Sequence, residues 1–151
     1  MISCVIRRAN PADADAIQSL YLELVDDPEI RILPEKIEAL AESTSSILLV
    51  AESGGEVCAS ALLNLCADVM YGAQPFAVVE NVVVSIAMRK QGIGTQLLAR
   101  VEELAKEHDC SKVMLLSNVR RHEAHEFFRR CGFSSDTKTA FVKYRSQFTT
   151  A

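Results

Sequence analysis

Arg89, Lys90, Gly92, Gly94 and Thr95 stand close together in the string MRKQGIGTQLL, residues 88–98. Two glycines between a pair of cations and an apolar helical repeat suit a small anion cradle. Glycine lets the backbone approach an anion with no Cβ in the way, a helix start leaves N–H groups unpaired, and Arg89 with Lys90 adds mobile positive charge. The string is neither the GxxxxGK[ST] phosphate loop nor the GxGxxG dinucleotide fingerprint. An ordinary glycine turn ahead of a solvated basic helix start would carry the same letters, so the turn alone does not decide between them. Just upstream, Glu80 and Asn81 interrupt the apolar run FAVVENVVV, residues 76–84. Desolvation in such a strand would raise the pKa of Glu80 toward the range of a general base, whereas an ion pair with a nearby Arg or Lys would make it structural. HEAHE, residues 122–126, offers histidines at i and i+3, not the i and i+4 of a zinc helix. It reads as solvated helix, with no metal expected.

The elements that must position these residues follow from periodicity. Residues 4–8 predict a strand, Asn10-Pro11 a helix start, and Ile17, Leu20, Tyr21 and Leu24 the buried face of that helix. A second helix is predicted from Pro34 to about Glu42. Two apolar runs joined by Ser53-Gly54-Gly55-Glu56 predict a hairpin, and 76–84 a further strand. After the glycine turn, Ile93, Leu97, Leu98, Val101 and Leu104 mark a helix, and 112–117 a strand. A helix through Ala124, Phe127 and Phe128 is predicted to stop at Gly132, and TAFVKYR, 139–145, to form a last strand. The crossover from 76 to 117 needs a parallel neighbour and the hairpins antiparallel ones, so the sheet should be mixed.

Composition limits the partners. The chain has 151 residues, 49% of them hydrophobic, with no linker-like tract, which predicts one domain spanning 1–151. Its formal net charge of -4 speaks against general binding to nucleic acid or to an anionic membrane. Five unclustered cysteines and the absence of a signal-type or spanning apolar run fit a cytoplasmic protein whose cysteines are buried and reduced.

The R-x-x-G-x-G string at a strand-to-helix turn resembles the acetyl-CoA pyrophosphate loop of the GCN5-related N-acetyltransferase (GNAT) superfamily. The resemblance extends over roughly residues 5–145. IRRANPADADAI is similar to that family's opening strand and helix, VVENVVVSIAMRKQGIGTQLL to its central strand and cofactor helix, and EAHEFFRRCGF to its late helix. It implies an α/β (α+β) fold with a mixed, mostly antiparallel sheet of six to seven strands and about four helices. It also implies acetyl-CoA as cosubstrate. Arg89, Lys90, Gln91, Gly92, Ile93, Gly94 and Thr95 would then hold the pyrophosphate, and Val82, Val83 and Val84 the pantetheine, with Asn118 a further contact. CoA is anionic but compact at its pyrophosphate, so a local cradle suffices in an acidic chain whose remaining charge attracts a cationic amine.

Acetyl transfer to an alkylamine requires removal of a proton held with a pKa of about 10, and Glu80 is the residue placed to take it, directly or through water. Many members of the family protonate the departing thiolate with a tyrosine. Here the alignment of AHEFFRRCGF puts Phe128, which the resemblance also makes a cofactor contact, at that position, and phenylalanine cannot donate, so either Tyr144, Tyr71 or water serves instead or the domain is a weak or inactive relative. SNVRRHEAHEFFRRCGF is similar to the corresponding stretch of bacterial aminoalkylphosphonate N-acetyltransferases, where Arg120 or Arg121 would meet an anionic substrate group. The resemblance therefore implies direct transfer, through a ternary complex, to a primary amine of a small molecule, and it is compatible with a homodimer. A protein lysine or N-terminal acetyltransferase, and a CoA-binding regulatory domain with little turnover, are the alternatives.

Overall fold

The structure of the chain, a computed structural model, describes residues 1–149. Contacts divide it into two units, Met1–Leu115 and Leu116–Ala151.

In the first unit the helical layer starts at Asn10. The Asn10 side chain accepts the Ala12 N–H at 3.0 Å, and Asp13 accepts the Asn10 N–H at 2.8 Å. Pro11 has no N–H to satisfy, so a short 3-10 turn, Pro11–Asp13, feeds helix α1, Ala14–Leu24. α1 buries Ala14, Ile17 and Leu20, the helical spacing read from the sequence. Helix α2, Pro34–Ala41, opens on a first-turn proline and buries Ile37. Arg7 ties this layer to the sheet. Its two terminal nitrogens donate to the two oxygens of Asp13 at 2.8 and 3.0 Å, and the same guanidinium reaches Glu52 at 3.0 and 3.1 Å. The Arg7 hydrogen bonds hold the buried Asp13 carboxyl below the usual range, against the opposing effect of burial.

The sheet runs β1 (Val5–Arg8), β2 (Ser46–Ser53), β3 (Glu56–Cys66), β4 (Phe76–Val84) and β5 (Val113–Leu115), in that spatial order. All pairs are antiparallel except β4 with β5, which the crossover helix α3, Ile93–Glu107, makes parallel. Alternate residues of β2 face opposite layers. Ile47, Leu49 and Ala51 pack with Ile93, Leu97, Val101 and Leu104 of α3, while Leu48 and Val50 pack with Ile17 and Ile37 of α1 and α2. The middle of the sheet is thus covered on both faces, and its strands read as continuous apolar runs. Cys58 is buried in this core, but the other four cysteines are only half-buried, a departure from the expectation that all would be core residues.

The second unit contains helix α4, His122–Arg130. It ends in a Schellman motif. The Gly132 N–H donates to the Arg129 carbonyl at 3.0 Å and the Phe133 N–H to the Phe128 carbonyl at 3.1 Å, with Gly132 left-handed at φ +93°. The expected last strand is absent. TAFVKYR at 139–145 joins no ladder, and Arg145–Gln147 closes into a 3-10 turn. Alternation marks a strand only where one face can be buried against a neighbour, and here Phe141 is 91% and Tyr144 69% exposed. The sheet therefore has five strands among the described residues, not six to seven, with the expected four helices.

Candidate functional site

β4 carries the first half of the site. Its pairing with β3 loses register between Ser60 and Leu62: Ser60 stands opposite Val83, yet Leu62 stands opposite Glu80, so β4 holds one extra residue there. Asn81 absorbs it with a left-handed backbone at φ +56°, a conformation asparagine tolerates better than most residues. The bulge has a consequence for Glu80. Glu80 and Asn81 are both exposed in succession, so the desolvation expected from an apolar strand does not occur. Nor is Glu80 ion-paired with an Arg or Lys among the described residues. It is a solvent-facing carboxylate beside a bulge.

On its other edge β4 pairs with β5 only at Ala77, Val78 and Val79. β5 stops at Leu115, whereas β4 continues to Val84. From Glu80 onward, the N–H and C=O groups directed away from β3 have no strand partner among the described residues. The Ser85 N–H bonds to the Cys58 carbonyl of β3 at 2.8 Å, so in the alternation of the strand Val83 also faces β3 and the open peptide edge is that of Val82 and Val84, able to hydrogen-bond another amide-bearing molecule laid beside it.

The turn that follows supplies the second half. Lys90 at φ +63° and Gly92 at φ +85° are both left-handed and bend the chain into α3. Gly92 is the N-cap of this 15-residue helix, and no side chain caps it. The first helical bond is made by the Gln96 N–H to the Gly92 carbonyl at 3.1 Å, which leaves the Ile93, Gly94 and Thr95 N–H groups at the positive end of the helix dipole. The Arg89 Nε donates to the Val84 carbonyl at 3.0 Å, fixing the arginine at the junction of strand and turn, and Lys90 is exposed. Free amides, a dipole and two cations are the donor set a diphosphate requires. The role of Gly92 differs from the open approach inferred from sequence. A Cβ there would lie 2.6 Å from Met1 Cγ, because the Ile2 N–H pairs with the Gln91 carbonyl at 3.0 Å and brings Met1 over the turn. Glycine is needed for its left-handed backbone, with the exposed Met1 side chain lying over it, while Gly94 is buried in the first turn of α3.

Beneath the bulge lies a tyrosine that the sequence placed only in the core. Tyr21 of α1 packs against the second core cluster. Burial pushes the Tyr21 phenol up, with the nearby Asn81 and Ser60 side chains opposing. The connection between α1 and α2 forms an open groove lined by Gln18, Pro28, Glu29, Ile30, Arg31 and Leu33.

Asn118, Phe128 and Tyr144 belong to the second unit. The Asn118 side-chain oxygen accepts the Arg120 N–H at 2.9 Å, and its carbonyl accepts the Arg121 N–H at 3.0 Å and lies 2.8 Å from His125 Nε2. Asn118 thus organises the start of α4. Phe128 is buried, in ring contact with Phe127 and, edge-on, with Phe133 at 6.2 Å between centroids. That last contact is the hydrophobic partner of the Schellman motif, which gives Phe128 a structural task. Tyr144 is exposed, and its N–H donates to Gln147 Oε1 at 2.9 Å. Tyr71 is 63% exposed.

Comparison with known proteins bears on this geometry. The profile of the acetyltransferase (GNAT) family matches residues 15–133. The chain is 30% identical over 143 residues to aminoglycoside N(6')-acetyltransferase type 1 of Stenotrophomonas maltophilia, covering 91% of each chain. It is 28% identical over 131 residues to the aminoalkylphosphonate N-acetyltransferase of Salmonella typhimurium, covering 86% of this chain and 84% of that one. Its fold is similar to that of a solved protein from Agrobacterium tumefaciens, at a TM-score of 0.83 and 29% identity over 93% of this chain and 99% of the other.

Proposed function

This chain belongs to the acetyltransferase (GNAT) family and is an acyltransferase of that type, and from that premise we propose that it moves the acetyl group of acetyl-CoA to a primary amine of a small molecule. The observation that carries the reading is one continuous stretch of backbone: an open strand edge at Val82–Val84 that leads into an uncapped, glycine-turned helix start at Arg89–Thr95. A cosubstrate with a diphosphate at one end and amides along its arm matches both. The N–H groups of residues 93–95, with Arg89 and Lys90, would hold the diphosphate. The free peptide groups of Val82 and the Val84 N–H would hold the arm and so bring the thioester to the bulge at Glu80 and Asn81. Names of relatives support an amine acceptor, one an aminoglycoside enzyme and one an aminoalkylphosphonate enzyme.

Glu80 then takes a proton from the acceptor's ammonium group. Its exposure makes a water relay the natural route, and the freed amine attacks the acetyl carbonyl in direct transfer within a ternary complex. Positioning and amide donors lower the rest of the barrier. With Phe128 buried in the α4 cap, the departing thiolate gains its proton from water or from Tyr144. The open groove between α1 and α2, with Gln18, Glu29 and Arg31 on its wall, offers polar groups to an acceptor carrying both charge and hydroxyls. The test is thiol release from acetyl-CoA across a panel of polyamines, aminosugars and aminoalkylphosphonates, beside lysine peptides. Turnover on a small amine is expected. Turnover on peptides alone would move the assignment to a protein acetyltransferase, and tight acetyl-CoA binding with no turnover would leave a binding domain.

A further inference from the structure

Lys90 and Gly92 are both left-handed, and Gln91 stands between them. For a lysine that backbone is costly and persists only where its surroundings over-determine it. On one side the turn is held by the bond from Arg89 Nε to the Val84 carbonyl. On the other it is held by the residues ahead of β1.

There a single residue forms a bridge. The Ile2 N–H donates to the Gln91 carbonyl at 3.0 Å, and the Ile2 carbonyl accepts from Gln96 Nε2 of α3 at 2.7 Å. The same Nε2 donates to the Gly92 carbonyl at 3.2 Å, beside the Gln96 backbone N–H at 3.1 Å. Gln96 Oε1 accepts the Cys4 thiol at 3.5 Å, and Cys4 packs against the first core cluster. Carbonyl oxygens can only accept, so the two carbonyls fix which way the side-chain amide faces. Both Nε2 hydrogens are then committed, one to the N-terminal residues and one to the turn.

These bonds set the direction of two successive peptides. In a trans peptide the C=O and the N–H that follows point in opposite directions, and no cis peptide occurs among the described residues. Pinning the Gln91 carbonyl toward Ile2 therefore aims the Gly92 N–H away from Ile2. Pinning the Gly92 carbonyl toward Gln96 likewise aims the Ile93 N–H out of the end of α3. Neither N–H has a protein partner among the described residues.

We infer that Gln96 is a positioning residue for the diphosphate: through Ile2 it sets the Gln91–Gly92 peptide and through the Gly92 carbonyl the next one, so that the N–H groups of Gly92 and Ile93 are aimed before the ligand arrives. This rests on the assignment of the 89–95 turn to acetyl-CoA. The donors of Gln96 are spent inside the protein, so it acts through these peptides and not by contact with the ligand.

The test is Gln96→Met, which keeps an unbranched side chain and a good helix former but removes both donors. The Kd of acetyl-CoA, measured by calorimetry, is expected to rise about 10-fold, the loss of roughly one charge-assisted hydrogen bond. S-acetylpantetheine is the same thioester arm without the diphosphate. With the best amine found, its kcat/KM should stay within about 2-fold of wild type, because the interaction removed is one it never makes. Titration with inorganic pyrophosphate, followed by 15N NMR, needs no turnover: the Gly92 and Ile93 amide signals should shift in wild type, and the variant should need about 10-fold more pyrophosphate for the same shift. Gln96→Ala, which has no shape to misfit, gives the same comparisons where Gln96→Met folds poorly. Should no amine be acetylated, the affinity and NMR arms still decide. Equal acetyl-CoA affinity in wild type and the folded variants would overturn the inference, and so would a parallel loss with S-acetylpantetheine, which a general loosening of α3 would produce. Failure of the turn assignment reads differently: the wild-type amides at 92–95 would then respond to neither pyrophosphate nor acetyl-CoA, and the role of Gln96 would fall with it.

Discussion

Gly92 and Gly55 share nearly the same φ, +85° and +84°, but only Gly92 lies at the helix start proposed to hold the diphosphate. Replacing each with alanine imposes the same left-handed strain, about 1–2 kcal/mol. For a chain of this length that corresponds to a fall in Tm of about 2–8 °C. At Gly55 nothing lies within 4 Å of the new Cβ, so strain is the whole effect. At Gly92 the Cβ also meets Met1 Cγ at 2.6 Å, but Met1 is 92% exposed and can swing aside at small further cost. The two variants should therefore melt within a few degrees of each other. Their binding should differ. If relaxation of the turn misaligns even one of the amides at 93–95, a charge-assisted hydrogen bond worth about 1.5–3 kcal/mol is lost. Acetyl-CoA affinity should then fall by about 10- to 100-fold in Gly92→Ala. Isothermal titration calorimetry on both variants, beside scanning calorimetry of each, checks this. Gly55→Ala is expected to bind as the wild type does. Equal affinity in the two folded variants would refute the assignment of the turn, because the strain would then be present without consequence for the ligand.

Glu80→Gln should lower kcat/KM by about 10²-fold at neutral pH, with the deficit shrinking as pH approaches the amine's own pKa; a constant deficit across pH–rate profiles would mark Glu80 as structural. Phe128→Tyr adds a hydroxyl to a buried ring in the α4 cap, so it should leave single-turnover transfer within about 3-fold of wild type, well short of the 10²- to 10⁴-fold of a positioned acid. Rapid-quench kinetics, with Tyr144→Phe in parallel, would show whether Tyr144 serves. Asp13 has a folded pKa held below its unfolded value by Arg7, so its contribution to stability is full above about pH 4–5 and is lost as pH falls through the folded pKa. Asp13→Asn should cost about 1–3 kcal/mol at pH 7, and the difference from wild type in urea melts should narrow toward pH 3.

What the sequence determined by itself is local. The period of Ile17, Leu20 and Tyr21, the Asn10-Pro11 start, the Gly54-Gly55 hairpin and the glycine ending α4 are short-range preferences of backbone and side chain, and each element formed where they placed it. The turn at 89–95 was legible for the same reason, since an uncapped helix start depends on a few adjacent residues. Tertiary structure decided the rest. TAFVKYR has the alternation of a strand but joins no ladder, and a strand exists only through its partner. Glu80 was read as desolvated from its apolar neighbours, but the slip of β4 against β3 turned it to solvent, and register is a property of two strands together. The only sequence trace of that bulge was the polar pair Glu80-Asn81, with asparagine able to turn left-handed. Tyr21 left no trace beyond its place in a helical repeat. Its phenol met polar side chains only when α1 packed across β3 and β4 and brought residues 21, 60 and 81, distant along the chain, close together.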